Sequence, residues 1–390
     1  MAEAYIVALA RSAGGKRNGR LAGVHPADLA GRVLAALVAR SGIDPTLIED
    51  VIMGCACPGG EQGANIARNA VLASGLPESV PGTHVDRQCG SSQQALHFAA
   101  ATVMAGIQDI VIAAGVESMT RVPMGLPWTL AAKHGFGTYR SPAIEARYPD
   151  MPFSQFGGAE MMAKKYGLTR DVLDVYALES HRRAAAATEA GKFAAEIVPL
   201  EVVTAEGERV IHGVDEGIRF DATLERIAGV KLLTEGGVVT AANASQICDG
   251  SAALLVVNEA GLKKLGLQPL ARIHQMTVIG HDPIIMLEAP IPATQKALSS
   301  AGLTIGDIDL YEVNEAFAPV PLAWAQAIGA DPVKMNVHGG AIALGHPLGG
   351  SGAKLMATLV SALHDRGARY GLQTMCEAGG MANVTIVERL

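Results

Sequence analysis

Asp86 to Met119 reads DRQCGSSQQALHFAAATVMAGIQDIVIAAGVESM, and Gly345 to Gly380 reads GHPLGGSGAKLMATLVSALHDRGARYGLQTMCEAGG. Each runs from a glycine turn through a helical pattern into an apolar strand and closes in another turn. In the first, Ala95, Phe98, Ala99 and Val103 step at three or four residues before the apolar run from Asp109 to Gly115. In the second, Leu355, Thr358, Leu359 and Leu363 do the same ahead of YGLQTM. One layout met twice indicates an internal duplication of α/β units.

The duplication divides the chain. Residues 1–118 with a return near 246–268 form one half, residues 269–390 the other, and Leu267–Pro269 is the junction. The stretch 119–245 reads as an inserted loop domain, with a charge-rich helical run from Thr169 to Ala190 and turn clusters at Ala205 to Gly207 and at Gly236–Gly237. Trp128, Phe136, Tyr139, Tyr148, Phe153 and Phe156 all fall within it. They are expected to form the insertion's own core, the alternative being an apolar lid over a bound acyl chain. Its 14 basic and 16 acidic residues nearly cancel, so an anion there is held by individual side chains.

With 390 residues, 49% hydrophobic and 18% charged, the chain can bury cores for two or three domains. Its 45 glycines and 4% aromatics favour close packing of helices on a sheet. The longest apolar runs, IVIAAGV from Ile110 and AALLVV from Ala252, fall far short of the ~20 residues of a membrane helix. No membrane span is expected. A net charge of −7 argues against nucleic acid as a partner. The opening MAEAYIVALARS lacks the basic start and long apolar stretch of an export signal and reads as a first strand. Five scattered cysteines make no disulfide framework, so free thiols and a cytoplasmic location are expected.

Two of those cysteines stand on glycine-rich turns. Cys89 follows GTHVDRQ and precedes Gly90, Ser91 and Ser92, where a helix N-terminus is expected to lower the thiol pKa. Its plainer alternative is a small residue packed under the turn. His346 lies in GHPLGGSG, ahead of a helix from Ala353 to Leu363; with one ring nitrogen free it can take the Cys89 proton and afterwards donate to a thioester oxygen. Cys376 ends YGLQTM before Ala378, Gly379 and Gly380, and a second thiolate there suits proton removal beside a thioester. Asn314 opens NEAFAP after the strand DLYEV; its amide can fix a water or polarise a carbonyl, and it is equally suited to cap the next helix. Together these residues point to thiol-based carbon–carbon bond chemistry. Cys55 and Cys57 in MGCACPGG invite a metal, but a closed zinc site needs four ligands and no second pair follows, so none is expected. Cys248 is expected to pack behind the Ser245 loop.

Cys-Gly-Ser before a helix, Asn-Glu-Ala-Phe at 314–317, Gly-Gly-Ala-Ile-Ala-Leu-Gly-His-Pro at 339–347 and Cys-x-x-Gly-Gly at 376–380 together resemble the thiolase family of acetyl-CoA acetyltransferases and 3-ketoacyl-CoA thiolases. The order and spacing agree over essentially the whole chain. The resemblance implies a duplicated five-layered α/β/α/β/α fold with an inserted loop domain. It implies thiolytic cleavage of 3-oxoacyl-CoA to acetyl-CoA and a shortened acyl-CoA, or the reverse Claisen condensation, with ping-pong kinetics. Coenzyme A is then substrate and product, no cofactor is bound permanently, and the enzyme is a homodimer or homotetramer. Carried over by motif, Cys89 forms the acyl-enzyme, His346 activates it, Cys376 is the acid/base at the α-carbon and Asn314 holds an oxyanion-hole water. A second oxyanion hole is implied at the backbone N–H groups of Cys89 and Ala378. For coenzyme A, TAANASQICDG resembles the pantetheine-binding stretch and points to Ala241 and Ser245, and GIRFDATLE resembles the stretch with an adenine-side arginine and points to Arg219. Phe317 of the Asn-Glu-Ala-Phe motif joins them.

The chain also departs from the family's pattern. Synthetic-type thiolases carry a His-Met pair before Gly-Thr-Thr-Ala-Glu where this chain has SQFGGAE at 154–160, which weakens an acetoacetyl-specific reading. Pro319 and Pro321 stand where a helix follows Asn-Glu-Ala-Phe, so that helix is expected to begin late or be distorted. His338 replaces an asparagine, Ala378 a glycine, and Glu377 an Ile or Val; a carboxylate close to a thiol raises its pKa. The changes at His338, Ala378 and Pro319 suggest a non-catalytic acyl-CoA-binding subunit as the alternative. A ketosynthase, with one cysteine and two histidines, ranks lower because no His-Gly-Thr-Gly-Thr-like segment is present and Cys376 is.

Overall fold

A computed structural model describes residues 2–204 and 207–390. The chain opens with β1 (Tyr5–Ser12), a short β2 (Gly15–Lys16), α1 (Pro26–Ser41), β3 (Asp50–Gly54), α2 (Ile66–Ser74), β4 (Gly82–Val85), α3 (Ser91–Met104) and β5 (Ile110–Ser118). Next come α4 (Leu126–Lys133), α5 (Pro142–Arg147), α6 (Gln155–Lys165), α7 (Arg170–Glu189), β6 (Ile197–Val198), β7 (Leu200–Val203), β8 (Arg209–His212) and α8 (Leu224–Ala228). The remainder is β9 (Cys248–Val257), α9 (Glu259–Leu265), β10 (Ala271–Gly280), α10 (Pro290–Ala301), β11 (Leu310–Val313), α11 (Pro319–Ile328), α12 (Ala341–Leu344), α13 (Ser351–Arg366), β12 (Tyr370–Glu377) and β13 (Met381–Arg389).

Local chemistry sets the boundaries, as α1 illustrates. Pro26 takes its first position, His25 Nδ1 accepts from Ala27 N–H at 3.2 Å, and Gly42 closes the C-terminus at φ +65.

The strands lie in the order β11-β12-β13-β10-β1-β9-β5-β3-β4, with β2 on β9 and β6 on β1. β1 meets β10 through two antiparallel pairs, Tyr5 with Arg272 and Ile6 with Ala271. On either side of that joint the connectivity repeats: β1-β9-β5-β3-β4 on one, β10-β13-β12-β11 on the other. Met335, bridged parallel to Tyr311, stands where a fifth strand would lie. The duplication read from the two quoted segments is thus present in the strand order.

Side-chain alternation separates two apolar faces along each strand. Ile110, Ile112 and Ala114 of β5 cluster with Leu34 of α1 and Val71 of α2. Val111 and Ala113 face the other way, toward Leu96 of α3 and Met356 of α13, and Ile273, Leu310 and Val387 meet the same cluster from the opposite sheet half. Beyond, Val384 and Ile386 of β13 pack with Ala297 of α10 and Trp324 of α11. The stack is helix, sheet, helix pair, sheet and helix, the five layers that the resemblance implied.

Two expectations are corrected. The insertion's aromatic residues do not form its core: Phe136 is 85% and Tyr139 58% exposed, and α4 and α5 bury no residue. A core needs a second apolar surface, which the insertion finds instead around α7, where Leu173, Ala177 and Leu178 meet Ile227 and Ile342. The helix after Asn-Glu-Ala-Phe is not distorted. It begins at Pro319 and keeps Pro321 within its first turn, where a helix has no use for the missing N–H donors. The Gly236–Gly237 turn forms with Gly236 at φ +71, whereas Ala205 and Glu206 of the other cluster lie outside the described residues. Among the described residues no helix is long and apolar enough to cross a membrane.

Candidate active site

Cys89 stands between β4 and α3, preceded by Gln88 at φ +52, a conformation that non-glycine residues seldom take. Gly90 N–H and Ser91 N–H bond back to the carbonyls of Arg87 and Gln88 at 3.1 Å. The thiol is buried in a cluster with Cys57, Met119, Val122, Leu348 and Met375. Burial first, and then Cys376, Glu377 and Glu117, push its pKa well above the ordinary thiol value. The expectation of a thiol acidified by a helix terminus is therefore corrected: desolvation outweighs the dipole, and Cys89 keeps its proton until a base removes it.

An imidazole borders the same enclosure. Met119 and Leu348 of the Cys89 cluster also line the cavity that takes His346 into its wall, a hollow of about 110 Å³. His346 Nδ1 lies 2.5 Å from Ser351 Oγ, which is itself 2.9 Å from the carbonyl of Pro347. A carbonyl only accepts, so the serine proton goes to Pro347 and Nδ1 must donate to Ser351. Nε2 is left with its lone pair and accepts from Asn314 Nδ2 at 3.3 Å. Burial, helped by the Lys354 cation, lowers the His346 pKa to about 3, so the ring is neutral. Lys354 is held by Leu344 O at 2.5 Å and Asp215 at 3.2 Å, in a buried cluster with Arg11 and Glu196.

Asn314 caps no helix, because α11 starts only at Pro319. Parallel pairing of Val313 with Thr374 and a bond from Asn314 N–H to Thr374 O at 3.0 Å bring it beside the end of β12, where Cys376 stands. Its buried Oδ1 has no partner among the described residues and is open to a polar group. Cys376 is buried and raised to about 12, chiefly by desolvation with Glu377 adding. Ala378 lies half-buried in the turn to β13.

The residues assigned to coenzyme A fall on two hollows. Ser245 and Phe317 line the His346 cavity, and Arg219 and Ala241 line a neighbouring one of about 410 Å³; Gln246 borders both. Phe156 and Met124 wall the smaller one, with Phe156 edge-on to Phe317 at 5.4 Å. Cys248 packs under Gly345, where an added Cβ would lie 2.6 Å from its sulfur. Cys55 Sγ lies 3.8 Å from Glu117, and among the described residues no three His, Cys, Asp or Glu side chains gather as metal ligands would. His338 is buried edge-on to Phe193.

Sequence reasoning missed three supporting residues. Ser351 opens α13 and so reads as a helix start rather than a partner for histidine. Glu315 accepts from Tyr176, Ser180, Asn336 and the Ile342 N–H, fixing the Asn314 loop to α7 and α12. Glu117 accepts from Ala56, Cys57, Gln62 and Gly349. The buried acid within Asn-Glu-Ala-Phe was the one available signal.

Two thiols, an imidazole and an amide gathered from both halves of a duplicated five-layer fold define an acyltransferase of the thiolase type. Residues 4–260 match the family "Thiolase, N-terminal domain" and residues 267–389 match "Thiolase, C-terminal domain". The chain belongs to the thiolase family. It is 50% identical to the steroid 3-ketoacyl-CoA thiolase FadA6 of Mycobacterium tuberculosis over 100% of this chain and 95% of that one. It is 40% identical to the acetyl-CoA acetyltransferase of Cupriavidus necator over the full length of both. The crystal structure of Bacillus anthracis acetyl-CoA acetyltransferase superimposes with a TM-score of 0.91 at 37% identity, covering 100% of this chain and 99% of that one.

Proposed function

We propose that this enzyme cleaves 3-oxoacyl-CoA with Cys89 as nucleophile, His346 as its base, Cys376 as acid and base at the α-carbon, and Asn314 as anchor of an oxyanion-hole water. The observation that carries the reading is the fixed tautomer of His346, which leaves Nε2 unprotonated in the enclosure of a protonated thiol. Nε2 takes the Cys89 proton as the sulfur attacks the 3-oxo carbon. Attack falls there rather than on the thioester carbonyl because only that tetrahedral intermediate can break the bond between the α- and β-carbons. Cys376 gives its proton to the departing enolate, acetyl-CoA leaves, and the shortened acyl group stays on Cys89. The Cys376 thiolate then deprotonates coenzyme A, whose sulfur displaces Cys89 and completes a ping-pong cycle. Condensation is the same path reversed. The N–H groups of Cys89 and Ala378 serve the oxyanion that forms at the 3-oxo carbon as Cys89 attacks, each such donor contributing about 10²–10³ in rate.

Arg219 takes the adenine side of coenzyme A, and Ala241 and Ser245 its pantetheine arm, with Phe317 beside them; their placement on adjoining cavities supports this. The acyl group is larger than acetyl, a reading supported by the apolar Phe156 and Met124 beside His346 and by the steroid substrates named for the Mycobacterium relative. The division into 1–118 with 246–268, 119–245 and 269–390 is supported by the break between family matches at 260 and 267. A homodimer or homotetramer fits the end-strand position of β4 and the exposed Phe136 and Tyr139. Five cysteines, all buried and unpaired, support a cytoplasmic location. Intact-mass and peptide analysis after incubation with acetyl-CoA tests the mechanism. An acetyl group on Cys89 is expected, and binding without an adduct would make the chain a passive subunit. A chain-length series of 3-oxoacyl-CoA substrates tests the acyl group.

A further inference from the structure

Glu377 ends β12 directly after Cys376 and is fully buried, yet neither of its carboxyl oxygens has a hydrogen-bond partner among the described residues. The carboxyl lies flat against Gly90: a Cβ added there would strike Glu377 Oε1, with Cδ 2.7 Å and Asn383 Nδ2 3.0 Å away. A side chain at position 90 would require the Glu377 carboxyl to move. The acid is not a helix cap, since α3 has no side-chain cap and its leading N–H groups bond to Arg87 and Gln88. Nor is it paired across the sheet, where β13 presents Met381 and Asn383, neither of which titrates. The Oδ1 of Asn383 and the Nε of Arg87 are likewise buried without partners among the described residues. A buried acid that accepts no hydrogen bond is most stable with its proton on.

We propose that Glu377 is a positioning residue that sets the charge state of Cys89, the acylating form of the site being the one in which Glu377 is protonated. This inference rests on Cys89 being the nucleophile. With its proton, Glu377 is a neutral wall behind Gly90. Without it, a carboxylate stands beside both sulfurs and opposes the Cys89 thiolate and the oxyanion held at the Cys89 N–H. Three groups share its surroundings: the Arg87 guanidinium, which favours the carboxylate, and the thiols of Cys89 and Cys376, which it opposes. Burial outweighs Arg87 and moves the carboxyl pKa up to about 8.

The test is the rate of Cys89 alkylation by iodoacetamide against pH, read by intact mass, in the wild-type protein and in Glu377→Gln, with melting curves as the fold control. At acid and neutral pH the two should react alike. Above the carboxyl's titration the variant should react about tenfold faster, the effect of one unit in thiol pKa from removing a like charge. Superimposable profiles in a folded variant overturn the proposal. The wild-type curve is an independent check that needs no variant: it should rise less steeply once Glu377 ionises, and a single-ionisation curve also overturns the proposal. If acetyl-CoA leaves no adduct on wild-type Cys89, the nucleophile assignment fails; a normal adduct with unshifted profiles removes only the role of Glu377.

Discussion

Glu117 Oε2 accepts the Gly349 N–H at 2.8 Å, so a carboxyl at the end of β5 holds the turn that carries His346 from the other half of the chain. The same oxygen accepts Ala56 N–H at 2.8 Å, and Oε1 takes Cys57 N–H and Gln62. Glycine is required at 349 because an added Cβ would lie 2.5 Å from Cys55 Cα and 2.7 Å from Ala56 N, both backbone atoms.

Glu117→Ala is therefore expected to leave three buried backbone donors without acceptors and to take from Gln62 Nε2 one of its two. At roughly 1 kcal/mol or more for each, the loss of stability should reach about 3 kcal/mol, measured by urea unfolding. Activity should fall with it as the His346 turn loosens. A change below about 1 kcal/mol would show that the turn is held by other means.

Ser351→Ala removes the acceptor of the His346 Nδ1 proton, frees the ring to turn or switch tautomer, and should lower kcat/KM about tenfold to a hundredfold. Ser351→Thr, which keeps the hydroxyl, should recover much of the loss. Steady-state thiolysis of the two variants decides it, and equal rates would mean that Ser351 does not orient the imidazole.

Cys89→Ala should abolish both the acyl adduct and turnover, whereas Cys376→Ser should still acquire an acetyl group from acetyl-CoA yet fail in carbon–carbon cleavage. Single-turnover mass measurements beside a thiolysis assay separate the two steps. Thiolysis of acetoacetyl-CoA by purified Cys89→Ala would refute the assignment.

Stability against pH follows from the buried groups. His97, His181, His338 and His346 are lowered by burial to about 3, 4, 4 and 3. Below about 6.5 each takes a proton when unfolded that it refuses when folded, so its contribution is complete above that value and is lost as pH falls through the folded one. Glu117, Glu315 and Glu377 are raised by burial and act in the opposite sense, losing stability as pH rises above the ordinary 4.5. The melting midpoint should be highest between about pH 4.5 and about pH 6.5 and fall on either side. In activity, no inflection should appear near the usual histidine value, because His346 is neutral there; an inflection removed by substitution of His346 would contradict its burial.

Much of the architecture was legible because it rests on short-range rules. The three- and four-residue steps of Ala95 to Val103 and Leu355 to Leu363, each followed by an apolar strand, specified two like units before any contact between them was known. The glycine turns marked where Cys89, His346 and Cys376 stand. Aromatic content misled, because Phe136 and Tyr139 lie exposed in the connection between α4 and α5, and clustering in sequence carries no information about what lies opposite.

By itself, then, the sequence determined the duplicated α/β units, the turns that present the two thiols and the imidazole, and the family to which the chain belongs. Tertiary structure alone decided how those groups ionise and which way they point. Burial raised the Cys89 thiol against the helix terminus expected to lower it, Ser351 fixed the His346 tautomer, and parallel pairing of β11 with β12 turned Asn314 to the site. These outcomes depend on desolvation and on contacts such as that of Glu117 with Gly349, between residues far apart along the chain.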